Sequence, residues 1–232
     1  MKKVFDIGFN VGEFSQSCIL KHPSCEIVAV EANPSLIPSI KPEWQRSINL
    51  LNLACSDKAG EEIDFYIEEK QSGISTASVD FIDNSRFTKG SKYLPTDSAT
   101  WNAPIKVKTT TLDSLIKEYG KPDFIKVDVE GYEYNVAKGL TSRANMIGFE
   151  WHEEDFESVE KTVDHFLSLG YLEFGVVGYF EQDVPDEITF SDEGDPYMKF
   201  PNKFVGSKIL MSSLSKIIDP SRRVYYGMFY AK

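Results

Sequence analysis

The chain's 232 residues carry 36 Asp and Glu against 25 Lys and Arg, a formal net charge of -11, and 41% of them are hydrophobic. This suits one sizeable core rather than two, and the negative charge repels a nucleic-acid backbone, which the Arg222–Arg223 pair is too small to offset. Cys18, Cys25 and Cys55 show no disulfide or zinc spacing, and no apolar run approaches the roughly 20 residues that span a bilayer. A cytoplasmic protein with no membrane partner and no signal peptide is expected.

From the N-terminus, Val4 to Gly8 is a short apolar run stopped by glycine, and Val11 to Leu20 continues with helical spacing. Glu26 to Glu31 reads as a buried strand, Pro34 opens a helical turn, and Ile48 to Ala54 supplies a third strand. Glu61 to Ile67 and Ile105 to Thr111 have strand character. They bracket a polar stretch, 70–104, with Phe81, Phe87, Tyr93 and Trp101, which reads as a long loop or lid. Leu112 to Tyr119 is helical up to Gly120, Phe124 to Val129 is a strand, and Tyr132 to Leu140 is the next helix. Met146 to Trp151 is the fifth strand of the alternating series, Ser158 to Leu169 a helix, Tyr171 to Val177 the sixth strand, and Val224 to Ala231 the last. Strands alternating with helices predict a doubly wound, mostly parallel α/β sheet with helices on both faces. The two terminal strands pair as an antiparallel edge hairpin, interrupted by an insert at 181–218. Residues 1–232 are expected to form one domain.

The chemistry concentrates at strand ends. The first turn reads Asp6-Ile-Gly8-Phe9-Asn10-Val-Gly12, whose glycines let backbone N–H groups approach a ligand at a helix N-terminus. Its D-x-G-x-N-x-G spacing fails the G-x-G-x-x-G dinucleotide pattern at the second glycine, which argues against a nicotinamide-dependent oxidoreductase or epimerase. Glu31 ends the second strand about 20 residues after the loop, where an acid can accept hydrogen bonds from both ribose hydroxyls of a nucleoside cofactor. The third strand ends Ala54-Cys55-Ser56-Asp57, where an adenine edge would lie if Glu31 holds the ribose; a simple turn at Asp57-Lys58 is the other reading. Asp128 and Glu130, at i and i+2 on the fourth strand's end, are suited to base work or to a cation. His152 ends the fifth strand after Glu150. The charge run Glu153-Glu154-Asp155 reads as a solvated helix cap.

Taken together, Thr110-Thr111-Leu112-Asp113-Ser114-Leu115, Asp123-Phe-Ile-Lys126-Val-Asp128-Val-Glu130-Gly131-Tyr-Glu133 and Gly139-Leu140 resemble the signature of FkbM-type methyltransferases. Val4 to Gly12, Val28 to Pro34, Ala54 to Gly60 and Gly73-Ile-Ser75-Thr76 resemble the same family's cofactor loop, ribose acid, adenine-side turn and small-residue loop. The resemblance covers about residues 3–152. It implies the seven-stranded class I methyltransferase fold, S-adenosylmethionine as cofactor, and O-methylation of a sugar or glycan acceptor. It also implies cofactor contacts from Asp6, Gly8, Phe9, Asn10, Gly12, Glu31, Ala32, Asn33, Ser56 and Asp128. Phe9 stands where the family commonly has alanine, a bulk that narrows the loop. The chain starts almost at its first strand, which suggests one domain of a larger glycan-modifying protein.

Deprotonation of the acceptor hydroxyl falls to Asp128, Glu130 or His152. A cation held by Asp128, Glu150 and His152 is the alternative, with metal-free catalysis favoured by the dispersed ligands. The rival from a different class is a binding module without turnover. Tyr179, Phe180, Phe190, Tyr197, Phe200 and Phe204 alternate with acids between 179 and 204, a mixture suited to the apolar face and hydroxyls of a sugar. This insert and the 70–104 stretch are expected to wall the acceptor.

Overall fold

The computed structural model of the chain describes residues 1–40, 43–88, 99–179, 188–190, 200–217 and 226–232. In chain order it forms β1 (Lys3–Ile7), α1 (Glu13–Lys21), β2 (Glu26–Glu31), a 3-10 turn at Pro34–Ser39, β3 (Ile48–Asn52), β4 (Ala54–Cys55), β5 (Glu62–Phe65) and α2 (Val79–Asn84). Then come β6 (Ile105–Thr110), α3 (Leu112–Tyr119), β7 (Phe124–Val127), α4 (Glu133–Lys138), β8 (Ile147–His152) and α5 (Phe156–Ser168). The chain closes with β9 (Phe174–Tyr179), β10 (Ile188–Phe190), α6 (Ser207–Ile217) and β11 (Tyr226–Ala231).

The main sheet runs β10-β9-β11-β8-β7-β1-β2-β3, parallel throughout except for β11. The seven strands expected are present, and the three-residue β10 adds an eighth on the β9 edge. Strand alternation sends successive side chains to opposite faces. Phe5, Ile7, Val28 and Val30 meet α3, α4 and α5 on one face, while Val4, Ile27 and Ala29 meet Phe14, Cys18 and Ile19 of α1 on the other. Both faces of β1 and β2 are therefore buried, which explains their unbroken apolar runs.

Several boundaries differ from the sequence pattern. The expected antiparallel pairing of β9 with β11 is present, and β11 pairs antiparallel with β8 as well, so that it sits between them. The run Ile48 to Ala54 breaks at Leu53, whose N–H turns back to the Leu51 carbonyl. Ala54–Cys55 then leave the main sheet for a second one ordered β4-β6-β5. The stretch 70–104 is more than a loop: it holds a 3-10 turn at Ser72–Ile74 and helix α2, and bridges at Tyr66–Thr76 and Glu68–Trp101 tie it to the second sheet. Local propensity there was outweighed by burial of Phe81, which is 5% exposed. Tyr93, Phe180, Tyr197 and the Arg222–Arg223 pair lie outside the described residues, as do all of the acids of the 181–218 insert. No helix among the described residues is long and apolar enough to cross a membrane.

Candidate active site

Sheet order reverses between β1 and β7, because the chain builds outward from β1 through β2 and later fills the other side. Ligands of doubly wound sheets sit beyond the strands' carboxyl ends at such a switch point. There the N–H groups of Gly8 and Phe9 both reach the Val30 carbonyl, at 3.0 and 3.1 Å, and fasten the first loop to β2. Gly8 has φ +81°, and a Cβ on it would lie 1.7 Å from the Asp128 carbonyl oxygen, so this loop can press against the end of β7 only as glycine. Phe9 folds its ring under Gly12 into the α1-side core, where it is 4% exposed, while still bordering the cavity.

Glu31 lies at the centre of this end. Its two carboxylate oxygens each accept a backbone N–H at 2.7 Å, one from Asn10 and one from Asn33, and the residue is 6% exposed. Burial raises its proton affinity and the two N–H groups oppose that. Glu31 and Ala32 border, together with Gly8 to Phe14, Ala54, Cys55, Phe65, Asp128, Glu130 and Tyr132, a cavity of about 990 Å³ counting its open mouth. Asp6, Asn33 and Ser56 stand behind this lining. Asp6 accepts the Ser15 hydroxyl at 2.5 Å, Asn33 caps the turn at Pro34 through Ser35, and the Ser56 N–H bonds the Thr110 carbonyl, leaving Cys55 at the wall. The small-residue loop closes over the opening: the Ser72 hydroxyl donates to Asn10 at 2.8 Å and the Thr76 hydroxyl to the Glu130 carbonyl at 2.7 Å.

Beneath the loop lies a residue to which sequence reading assigned no role. The Lys126 ammonium, buried in β7, donates to the Gly8 carbonyl at 2.8 Å and stands 3.3 Å from both Asp6 and Asp128. Burial opposes its charge, but Asp128 and Asp6 outweigh burial and hold it protonated. A lysine inside the otherwise apolar strand Phe124–Val127 was the available signal, since a buried charge persists only when paired.

Past Asp128 the backbone turns sharply, with Glu130 at φ +55° followed by Gly131 at φ +82°. This turn brings Glu130 to β8, where Glu150 and His152 project from the same face at i and i+2. His152 Nε2 lies 3.0 Å from Glu150 and 3.8 Å from Glu130. Asp128, proposed from sequence as their partner in a cation set, lies 3.3 Å from the Lys126 ammonium and also shares a hydrogen bond with Glu150. Burial, and then Glu150, push both Asp128 and Glu130 well above the ordinary carboxylate range. Glu133, whose carboxylate accepts the Val129 N–H at 2.9 Å, is pushed to about 7 by burial and Glu150. Burial disfavours charge on His152, but Glu150 prevails and raises it to about 9.

Arg86, which follows α2, was not visible as a site residue. Its guanidinium grips Glu154 with two 2.8 Å bonds and reaches His152 Nδ1 at 3.3 Å. The expected solvated run 153–155 is therefore incorrect: Glu153 is buried and Glu154 is the guanidinium's partner. Phe81 packs edge-on against His152 at 5.8 Å and against Trp101 at 6.3 Å, so aromatic residues of the 70–104 stretch border the acid cluster.

Comparison with known proteins follows the same lines. Over 151 residues the chain is 27% identical to the hexuronic acid methyltransferase AglP of Haloferax volcanii, covering 63% of this chain and 53% of that protein. It thus spans about half the length of that curated relative. Among solved structures, the precorrin-6Y C5,15-methyltransferase of Geobacter metallireducens matches with TM-score 0.42 and 12% identity over 99% of this chain and 79% of the other. The plantazolicin methyltransferase BamL matches with TM-score 0.36 and 10% identity over 100% of this chain and 77% of the other. A family model of the methyltransferase FkbM domain matches residues 6–173, and on that match, well over half its length, the chain belongs to the FkbM-domain methyltransferases.

Proposed function

We propose that the chain transfers a methyl group from S-adenosylmethionine to a hydroxyl of a sugar or glycan. The observation that carries this reading is that Glu31 and Glu130 border one cavity, which would put a ribose acceptor and a proton acceptor in the same space. Glu31 would take the ribose hydroxyls, Gly8 to Gly12 and the first turn of α1 the methionine end, and Ala32, Cys55 and Tyr132 the adenine side. When bound, S-adenosylmethionine supplies an electrophilic methyl group. The chain's own contribution is to hold the acceptor oxygen in line and take its proton at Glu130, Asp128 or His152.

A sugar acceptor draws support from the hexuronic acid named for the Haloferax volcanii relative. A hexuronic acid offers both a carboxylate and hydroxyls. Here Asp128 and Glu130 border the cavity, and the raised proton affinity that burial and Glu150 give Glu130 suits it to take a hydroxyl's proton. The three described cysteines are free and buried, which fits a reducing compartment such as the cytoplasm.

The test is incubation with methyl-labelled cofactor and a panel of neutral hexoses, deoxysugars, hexuronates, phenols and RNA. Alkali-stable label on a neutral saccharide is expected. Alkali-labile label on a hexuronate would move the reaction to the carboxylate, and label confined to phenols or RNA would overturn the sugar assignment.

A further inference from the structure

Glu130, Glu150 and His152 each present a ligand atom within 4.8 Å of the others, although they come from a turn after β7 and from the end of β8. Glu150 is 3% exposed and His152 is 6% exposed, so this is not a surface patch of acids. Nε2 of His152 is buried without an aligned hydrogen bond. The Glu150 oxygen at 3.0 Å is close enough, but it lies off the direction that the ring nitrogen needs. Oε2 of Glu130 is likewise buried with no hydrogen-bond partner. Lys126 is divided between Asp6 and Asp128, and Arg86 is bidentate on Glu154, which leaves the imidazole facing two carboxylates.

We propose that Glu130, Glu150 and His152 form a binding site for one divalent transition-metal ion of the Mn²⁺ type. Two carboxylate oxygens and one imidazole nitrogen suit such an ion better than Mg²⁺ or Ca²⁺, which take oxygen alone. Asp128 stands beside this set, shared between Lys126 and Glu150, and the ligand atoms that lie within 4.8 Å of one another are those of Glu130, Glu150 and His152. With an ion on Nε2 the ring carries its proton on Nδ1. Arg86 then gives up its 3.3 Å approach to that nitrogen while keeping both bonds to Glu154. Three protein ligands leave coordination positions open, and Glu130 borders the cavity, so the ion would polarise an acceptor hydroxyl held there. That role rests on the methyl-transfer reading above, whereas occupancy of the site does not.

Binding of Mn²⁺ to the chelator-treated full chain, followed by calorimetry and by loss of the free-ion electron paramagnetic resonance signal, tests the site with neither cofactor nor acceptor present. One saturable ion per chain is expected. E130Q and H152Q should each weaken it by more than the roughly 10- to 100-fold that loss of an outer supporting group costs. E157Q, at an exposed acid on α5, should bind as the parent does. Thermal melting of each variant separates a lost ligand from a lost fold, and E150Q provides a second variant if one melts early. Absence of a saturable ion, or equal binding by the parent, E130Q and H152Q, would overturn the site. Mn²⁺ binding with no methyl transfer to any acceptor would keep the site and remove the proposed reaction.

Discussion

The cradle around Glu31 lines the main cavity, whereas the cluster around His152 reaches that cavity through Glu130, and the two are built on different principles. In the cradle each charge meets a designated partner: Glu31 takes two backbone N–H groups, and Lys126 bridges Asp6, Asp128 and the Gly8 carbonyl. In the cluster carboxylates face one another, with a buried oxygen on Glu130 and a buried ring nitrogen on His152 lacking aligned partners. Saturated polar groups preorganise a surface for a fixed ligand, and crowded ones retain capacity to take a proton or an ion. On the reading proposed above, the cradle would hold the cofactor and the cluster would take the proton.

The largest effect is expected at Gly8. G8V places a branched side chain where Cβ would already sit 1.7 Å from the Asp128 backbone, at φ +81°. Stability should fall by more than about 4 kcal/mol along with all cofactor binding, read by thermal melting and calorimetry. A folded G8V that merely loses affinity would mean that the loop is less tightly clamped than the cradle requires.

K126M comes next, because it strands Asp6 and Asp128 in the interior. A loss of about 3–5 kcal/mol is expected in denaturant unfolding, the cost of breaking a buried ion pair from one side. Near-neutral stability would show that the cradle tolerates crowded acids as the cluster does, and the contrast would collapse.

For E31Q an amide NH2 must face the Asn10 or Asn33 N–H that a carboxylate oxygen now accepts, so stability should fall by about 1–3 kcal/mol and cofactor affinity by about 2–3 kcal/mol, roughly 30- to 150-fold, as charged hydrogen bonds to ribose become neutral ones. Equal affinity in calorimetry would remove Glu31 from ribose binding.

The smallest effect belongs to S72A, which deletes the 2.8 Å bond from the covering loop to Asn10. Cofactor affinity should drop by about 0.5–1.5 kcal/mol, through faster dissociation in stopped-flow release. An unchanged off-rate would show that the loop does not hold the cofactor.

What the amino-acid order determined by itself was whatever depends on near neighbours in the chain. The alternation of strands and helices, the glycine turn at 8–12 and an acid at the tip of the second strand all follow from local periodicity and from glycine's freedom at positive φ. Asp128, Glu130 and His152 were legible as acids and an imidazole at strand ends, but their partners were not. Only the tertiary structure decided that Lys126 crosses 118 positions to the Gly8 carbonyl, that Arg86 reaches 68 positions to Glu154, and that Glu130 comes within reach of Glu150 and His152. Those choices depend on which segments the sheet order brings side by side and on how burial pairs their charges. No short window of sequence records that, because desolvation and pairing act between residues that meet only after the strands have assembled.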